Sequence, residues 1–218
     1  VTVGRRLESG PLAELRKKWY GAVEIDPPWN FASRSMKNED RLAANHYATM
    51  SLAEIMALPV KDVLAKDAVV FLWVTDTHFG EAFDLLKEWG LIHKTLDFYR
   101  TKDNKVSPGK FKGKGFWSRA NPEQVLTCYD DDDNQMLLAT QGHPGRIGKN
   151  VAKLIEAPRR EHSRKLDEGR ESSERLCEGP YLSLFSRESR SRWSTWGNKT
   201  SKFDRPKSDA TRKRLDLL

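Results

Sequence analysis

The segment that most narrows the fold is Ala68–Val74, which reads AVVFLWV. An unbroken apolar run with β-branched and aromatic members has no polar face to turn to water, so it predicts a strand covered on both sides. Strands of that kind belong to sheets with helices on both faces. The residues that follow agree. A helix is expected from about Thr77 to Trp89, with Phe79, Phe83, Leu86 and Trp89 near helical spacing and Gly90 as its stop, and then a strand over Lys94–Arg100. Strand, helix, strand is the order of a parallel α/β sheet.

The rest of the chain extends that pattern. Residues 11–18 read as a short basic helix, and Ala22–Ile25 as a strand entering from Tyr20. Residues 30–47 are polar and read as a loop. Ser51 with Glu54 forms a capping box for a short helix that Pro59 closes. Strands are expected over 123–129 and 136–140, separated by the solvated acidic tip Asp130–Asp133, and again over Val151–Glu156. A helix then runs from Asp167 to about Cys177, ended by Gly179-Pro180. The strand Tyr181–Phe185 follows, and Trp193–Asn198 (WSTWGN) closes the domain. Residues 1–200 are read as one domain and 201–218 as a basic tail.

Charge points to the partner. The 218 residues carry 38 Lys and Arg against 31 Asp and Glu, a net charge of +7. A basic balance of this size favours a polyanion, with nucleic acid first. The positive charge gathers in segment 100–119, where Arg100, Lys102, Lys105, Lys110, Lys112, Lys114 and Arg119 face one acid, Asp103. Gly109, Gly113 and Gly115 loosen the backbone there, and Phe111, Phe116 and Trp117 are interleaved. Cations that grip phosphate beside rings that stack on bases suit a flipped or single-stranded nucleotide; a solvated loop is the plainer reading. Cys128 and Cys177 have no partner at metal-ligand spacing, and two thiols fit a reducing compartment. No run is long and apolar enough to span a membrane, and Val1–Gly10 holds no signal-peptide core. The expectation is a soluble intracellular protein, cytoplasmic, or nuclear in a eukaryotic cell. Homo- and heterodimers both remain open.

The chemistry is concentrated in Asp26-Pro27-Pro28-Trp29, directly after the first strand. The exocyclic amine of adenine or cytosine is a poor nucleophile because its lone pair is delocalised into the ring. Two acceptors aimed at its two hydrogens draw the nitrogen toward a tetrahedral shape and free that pair. Asp26 offers one acceptor. The backbone carbonyl of Pro27 or Pro28, placed by proline's restricted backbone, offers the other. Trp29 is suited to stack on the ring. A strand ended by a proline-fixed turn is the bland alternative for the same residues.

These four residues look like the signature of amino-group methyltransferases that use S-adenosylmethionine. Further motifs follow in order: His46-Tyr47-Ala48-Thr49-Met50, Leu58-Pro59-Val60, Phe71–Thr75, Trp117 with Glu123, Glu161–Lys165, Asp167-Glu168, Leu184–Arg187 and Trp196-Gly197-Asn198. The set, from about residue 20 to 199, resembles the MT-A family of adenine N6 methyltransferases. That family includes the catalytic subunit of the eukaryotic mRNA adenosine methyltransferase and many bacterial and phage relatives, and the compact single domain is more like the bacterial and phage branch. The resemblance implies a Rossmann-like methyltransferase fold, with a mostly parallel central sheet flanked by helices, and S-adenosylmethionine as cofactor. It implies that Asp26–Trp29 form the catalytic loop, with Asp26 also near the cofactor. Lys165 would pair with the cofactor carboxylate, Arg187 would contact the ribose region, and Asn198 with Lys199 would reach the ribose or adenine. Tyr47, Trp117 and Glu123 would face the substrate, with Lys110, Lys112, Lys114 and Arg119 on its phosphates.

Three departures stand out. The family's usual Lys-Pro-Asp-Glu appears with Leu166, its usual Glu-Leu-Phe with Ser183, and its usual Glu or Gln with Lys199. The expectation is an adenine N6 methyltransferase acting on DNA. RNA is the nearest alternative substrate, and a weakly active or non-catalytic partner of an active subunit is the alternative from another class.

Overall fold

A computed structural model describes residues 5–30, 49–75, 78–103, 134–158 and 167–204. The strands are β1 (Tyr20–Ile25), β2 (Leu64–Thr75), β3 (Ile92–Asp103), β4 (Asn134–Gln141), β5 (Leu154–Pro158), β6 (Tyr181–Leu184) and β7 (Trp193–Trp196). The helices are α1 (Leu52–Met56), α2 (Val60–Val63), α3 (Phe79–Glu88) and α4 (Asp167–Leu176). All the strands join one sheet in the order β5-β3-β4-β2-β1-β6-β7. Neighbours β1–β2, β1–β6, β6–β7 and β3–β5 are parallel, while β4 runs antiparallel to both β2 and β3.

The period-two pattern of the central strands explains the layers. Val70, Leu72 and Val74 of β2, with Val23 and Ile25 of β1, pack with residues of α1, α2 and α3. Val69, Phe71 and Trp73, with Ala22, pack on the opposite face with Cys177, Tyr181 and Trp193. The apolar run 68–74 is therefore covered on both sides, as its composition requires. On the second face α4 lies close to the sheet at Gly169, where a Cβ would come within 3.3 Å of the Trp73 ring.

Both arms of the Ser51–Glu54 capping box are formed at the start of α1. Three expectations change. Residues 11–18 are turns rather than a helix: Ala13 N–H bonds Gly10 O and Leu15 N–H bonds Leu12 O, which buries Leu12 and Leu15. A bridge between Arg6 and Arg16 closes this hairpin. Next, β2 and β3 run in the same direction but are not neighbours, because β4 inserts between them. Finally, Phe83 of the expected apolar set is exposed, while Phe79 packs against the core and Leu86 and Trp89 are buried with Ala82 and Leu85. The strand expected over 123–129 and the acidic tip 130–133 lie outside the described residues.

The chain leaves β1 toward β2 on one side, and leaves β6 toward β7 on the other. The adjacent carboxyl ends of β1 and β6 are thus a topological switch point, the place where open α/β sheets bind ligands.

Candidate active site at the carboxyl end of β1

Asp26 is the first residue past β1, and its N–H bonds Leu184 O of β6 at 3.3 Å, at that switch point. It is half-buried, Pro27 is buried and Pro28 half-buried. The proline carbonyls are already engaged: Pro27 O accepts from Trp29 N–H at 2.8 Å and Pro28 O from Met50 N–H at 2.9 Å. A carbonyl oxygen has two lone pairs, so each retains capacity for a second donor. These bonds tighten the turn and fix the direction of both oxygens.

Trp29 departs from its expected place. It is 4% exposed and belongs to the core on the α1–α3 face. Its indole N–H donates to Trp73 O at 3.2 Å, and its ring stacks on His78 at 5.0 Å between centroids. A large apolar ring beside the apolar ends of β1 and β2 gains more by burial than by facing solvent. Trp29 anchors the loop here rather than offering its face to a substrate ring.

The carboxyl ends of β6 and β7 bring the other described candidates together. Phe185 follows β6 with φ +63°, which turns the chain sharply into Ser186 and Arg187. Ser186 N–H bonds Trp196 O at 3.1 Å, tying this turn to the end of β7. Gly197 has φ +152°, and a Cβ there would meet Phe185 Cα at 3.1 Å, so glycine is required for this approach. Asn198 and Lys199 follow, both exposed, while Arg187 is half-buried. Residues beyond 200 fold back onto the same place. Phe203 N–H bonds Arg187 O at 3.1 Å, and Ser189 donates to Asp204 through both its N–H and its hydroxyl. Partial burial, and then the charges of Arg187 and Lys199, lower the Lys202 ammonium below its ordinary value. Lys202 therefore adds a third cation beside these two, and residues 202–204, past residue 200, bond back to Lys199, Arg187 and Ser189.

Beneath the site lies a buried polar network that the sequence did not reveal. Arg170 of α4 donates its Nε to Glu24 Oε2 at 2.7 Å, and Trp73 Nε1 donates to Glu24 Oε1 at 2.8 Å. Ser183 Oγ donates to Glu24 Oε2 at 2.9 Å, and Arg170 Nη2 reaches Ser183 and Ser186 hydroxyls at 3.3 Å each. Burial raises the Glu24 carboxyl, but the Arg170 charge and these hydrogen bonds outweigh it and hold it below the ordinary range. Glu24 and Ser183 are register partners on β1 and β6.

Tyr47, Lys110, Lys112, Lys114, Trp117, Arg119, Glu123 and Lys165, with Leu166, lie outside the described residues. Among the described residues no group of His, Cys, Asp and Glu could hold a metal ion, and no helix is long and apolar enough to cross a membrane.

Fold and loop together define an α/β domain of the doubly wound kind, with its candidate site at the switch point between β1 and β6. The MT-A70 family model matches residues 20–199, and the chain belongs to that family of adenine N6 methyltransferases. It is similar to Type II methyltransferase M.MunI of Mycoplasma sp, at 24% identity over 201 residues, covering 84% of this chain and 79% of the relative. It is also similar to the human N(6)-adenine-specific methyltransferase METTL4, at 25% identity over 208 residues, covering 88% of this chain and 40% of that protein. The mouse METTL4 is 24% identical over 192 residues. This chain thus spans about two fifths of the METTL4 length.

Proposed function

We propose that this chain transfers a methyl group from S-adenosylmethionine to the exocyclic N6 amine of adenine in DNA. The observation that carries the reading is the position of Asp26: half-buried, at the carboxyl end of β1, and beside the carboxyl end of β6 that carries Arg187. The family supports the reaction. The similarity to a Type II methyltransferase and to N(6)-adenine-specific methyltransferases supports the adenine amine and a nucleic-acid substrate.

The residues present fit the cofactor by their chemistry. A ribose diol, an adenine ring and an amino-acid end call for an amide, cations and a carboxylate, and Asn198, Arg187, Lys199 and Asp26 supply them at one end of the sheet. When bound, S-adenosylmethionine supplies an electrophilic methyl group on a sulfonium. The chain's own part is orientation. Asp26 accepts one amine hydrogen, and the free lone pair of a proline carbonyl accepts the other. The amine nitrogen then turns its lone pair out of the ring plane. No strong base is needed, because the alkylated nitrogen loses its proton readily. Holding the reactants in line is worth on the order of 7–11 kcal/mol when the geometry is good.

The test is a methylation assay with labelled S-adenosylmethionine on single-stranded DNA, double-stranded DNA and RNA, followed by nucleoside analysis. N6-methyladenine in DNA is the expected product. Label appearing only in RNA would move the substrate to the other polymer. Calorimetry showing no S-adenosylmethionine binding at high concentration would sink the enzyme reading and leave the non-catalytic partner.

A further inference from the structure

The catalytic loop is gripped from the start of α3 by a residue that no motif singles out. His78 is 8% exposed, and its ring lies 5.0 Å from that of Trp29 at an interplanar angle of 21°. Its Nε2 is 3.1 Å from Asn30 O. A carbonyl only accepts, so Nε2 carries the hydrogen in this bond. Glu81 Oε2 is 3.8 Å from the same nitrogen, one helical turn further on.

The grip has a partner on the other side of the loop. Met50 N–H holds Pro28 O at 2.9 Å, and Trp29 bridges to Met50 in parallel. Asn30 and Met50 are therefore both tied to the Asp26–Trp29 turn, the first through His78 and the second directly. The indole bond to Trp73 O adds a third tie, to β2. Every tie acts on Pro28, Trp29 or Asn30. Chain that connects Asp26 to these ties has few free dihedrals, since both intervening residues are prolines.

We infer that His78 is a positioning residue for methyl transfer: its hydrogen bond to Asn30 chiefly holds the Asp26–Trp29 turn in the orientation the target amine requires, and its stack on Trp29 adds packing. This rests on the methyl-transfer reading above. His78 touches neither substrate nor cofactor in this role. It acts through Trp29 and Asn30, and removing it leaves the loop present but loosely aimed. A misplacement of about 1 Å from such a change costs about a hundredfold in rate.

The discriminating set is His78→Ala, His78→Phe and His78→Gln in the full chain. Phe keeps the stacked ring and loses the donor; Gln keeps a donor near the position of Nε2 and loses the ring. In Ala and Phe, kcat on adenine-containing DNA should fall by about tenfold or more while the S-adenosylmethionine Kd stays within about twofold, and Gln should recover most of the loss. A merely structural role would lower all three in step with their melting temperatures and give no recovery by Gln. Wild-type kcat in Phe, or equal losses in Phe and Gln, would overturn the inference. Hydrogen exchange supplies a readout independent of activity. The amides of Trp29 and Met50, which bond the two proline carbonyls, should exchange faster in His78→Phe, and unchanged exchange there would equally overturn it. An inactive wild type would refute the methyl-transfer reading itself, while the exchange measurement would still decide whether His78 holds the loop.

Discussion

Arg170 Nε donates to Glu24 Oε2 at 2.7 Å across 146 residues of sequence, and both side chains are buried. This pair joins α4 to the strand that ends in Asp26, and through Ser186 it reaches the turn that carries Arg187. Removing one partner leaves the other charge buried and uncompensated. Glu24→Met and Arg170→Met should each cost about 3–5 kcal/mol of stability by chemical denaturation. The double variant Glu24→Met with Arg170→Met should cost much less than the sum, because no lone charge remains. Additive losses would show that the two residues do not act as a pair.

The same pair sets a pH dependence. The folded Glu24 carboxyl sits below its ordinary value, first against the raising effect of burial and then through Arg170 and the hydrogen bonds. A depressed carboxylate contributes stability that is present above its unfolded value, near pH 4.3, and is lost as pH falls through the lower folded value. Arg170 stays charged throughout. Stability of the wild type should therefore drop along the acid limb, and Glu24→Gln should show a shallower drop in the same range. Parallel acid limbs in denaturation at graded pH would rule out Glu24 as a source of the dependence.

Asp26→Ala removes one of the two acceptors proposed for the target amine and touches little of the core. Methyl transfer should fall by at least about a hundredfold, comparable to losing one preorganised polar group in other active sites. Stability should change by only about 0.5 kcal/mol, since the side chain is half-buried at a strand end. Asp26→Asn keeps one acceptor oxygen and should be less impaired than Ala. Retained turnover in the Ala variant, measured with labelled methyl donor, would remove Asp26 from the mechanism.

What was legible in sequence was local. The capping box at Ser51 and Glu54 spans three residues, and both of its arms form as read. The two-sided burial of 68–74 follows from an apolar run with no polar face to expose. Features set by distant partners were not legible. Glu24 looks like an ordinary polar position in a short strand until Arg170, Trp73 and Ser183 are folded onto it. The insertion of β4 between β2 and β3 depends on register across the sheet, which no local pattern records. Trp29 follows β1 in the turn, but its burial depends on Trp73 of β2 and on His78 at the start of α3. Residues 11–18 read as a short basic helix, yet turns after Gly10 bury Leu12 and Leu15.

Trp29 offers a test of that burial. Trp29→Ala should cost about 3–5 kcal/mol through the cavity it leaves among β1, β2 and α1–α3. Trp29→Phe keeps much of the ring surface and loses the bond to Trp73 O, and should cost distinctly less. If Trp29 served chiefly to stack on substrate, Ala would instead leave the melting temperature nearly unchanged and raise KM for DNA. The two outcomes separate an anchor from a contact.

Lys110, Lys112 and Lys114 lie outside the described residues and enter through their sequence alone: basic, glycine-spaced and interleaved with Phe111, Phe116 and Trp117. If they sit on phosphates, each releases counterions when DNA binds, and log K falls with log salt at about 0.9 per duplex contact or 0.7 per single-strand contact. Changing all three to Gln should weaken binding at low salt and flatten that line by up to about 2–3. The loss should be nearly uniform across sequences, because phosphate contacts carry no base information. A titration of fluorescent DNA over a range of salt concentrations measures both quantities. Weaker binding with an unchanged slope would mean that the segment acts by holding the base or by shaping the site, and that the phosphates are gripped elsewhere.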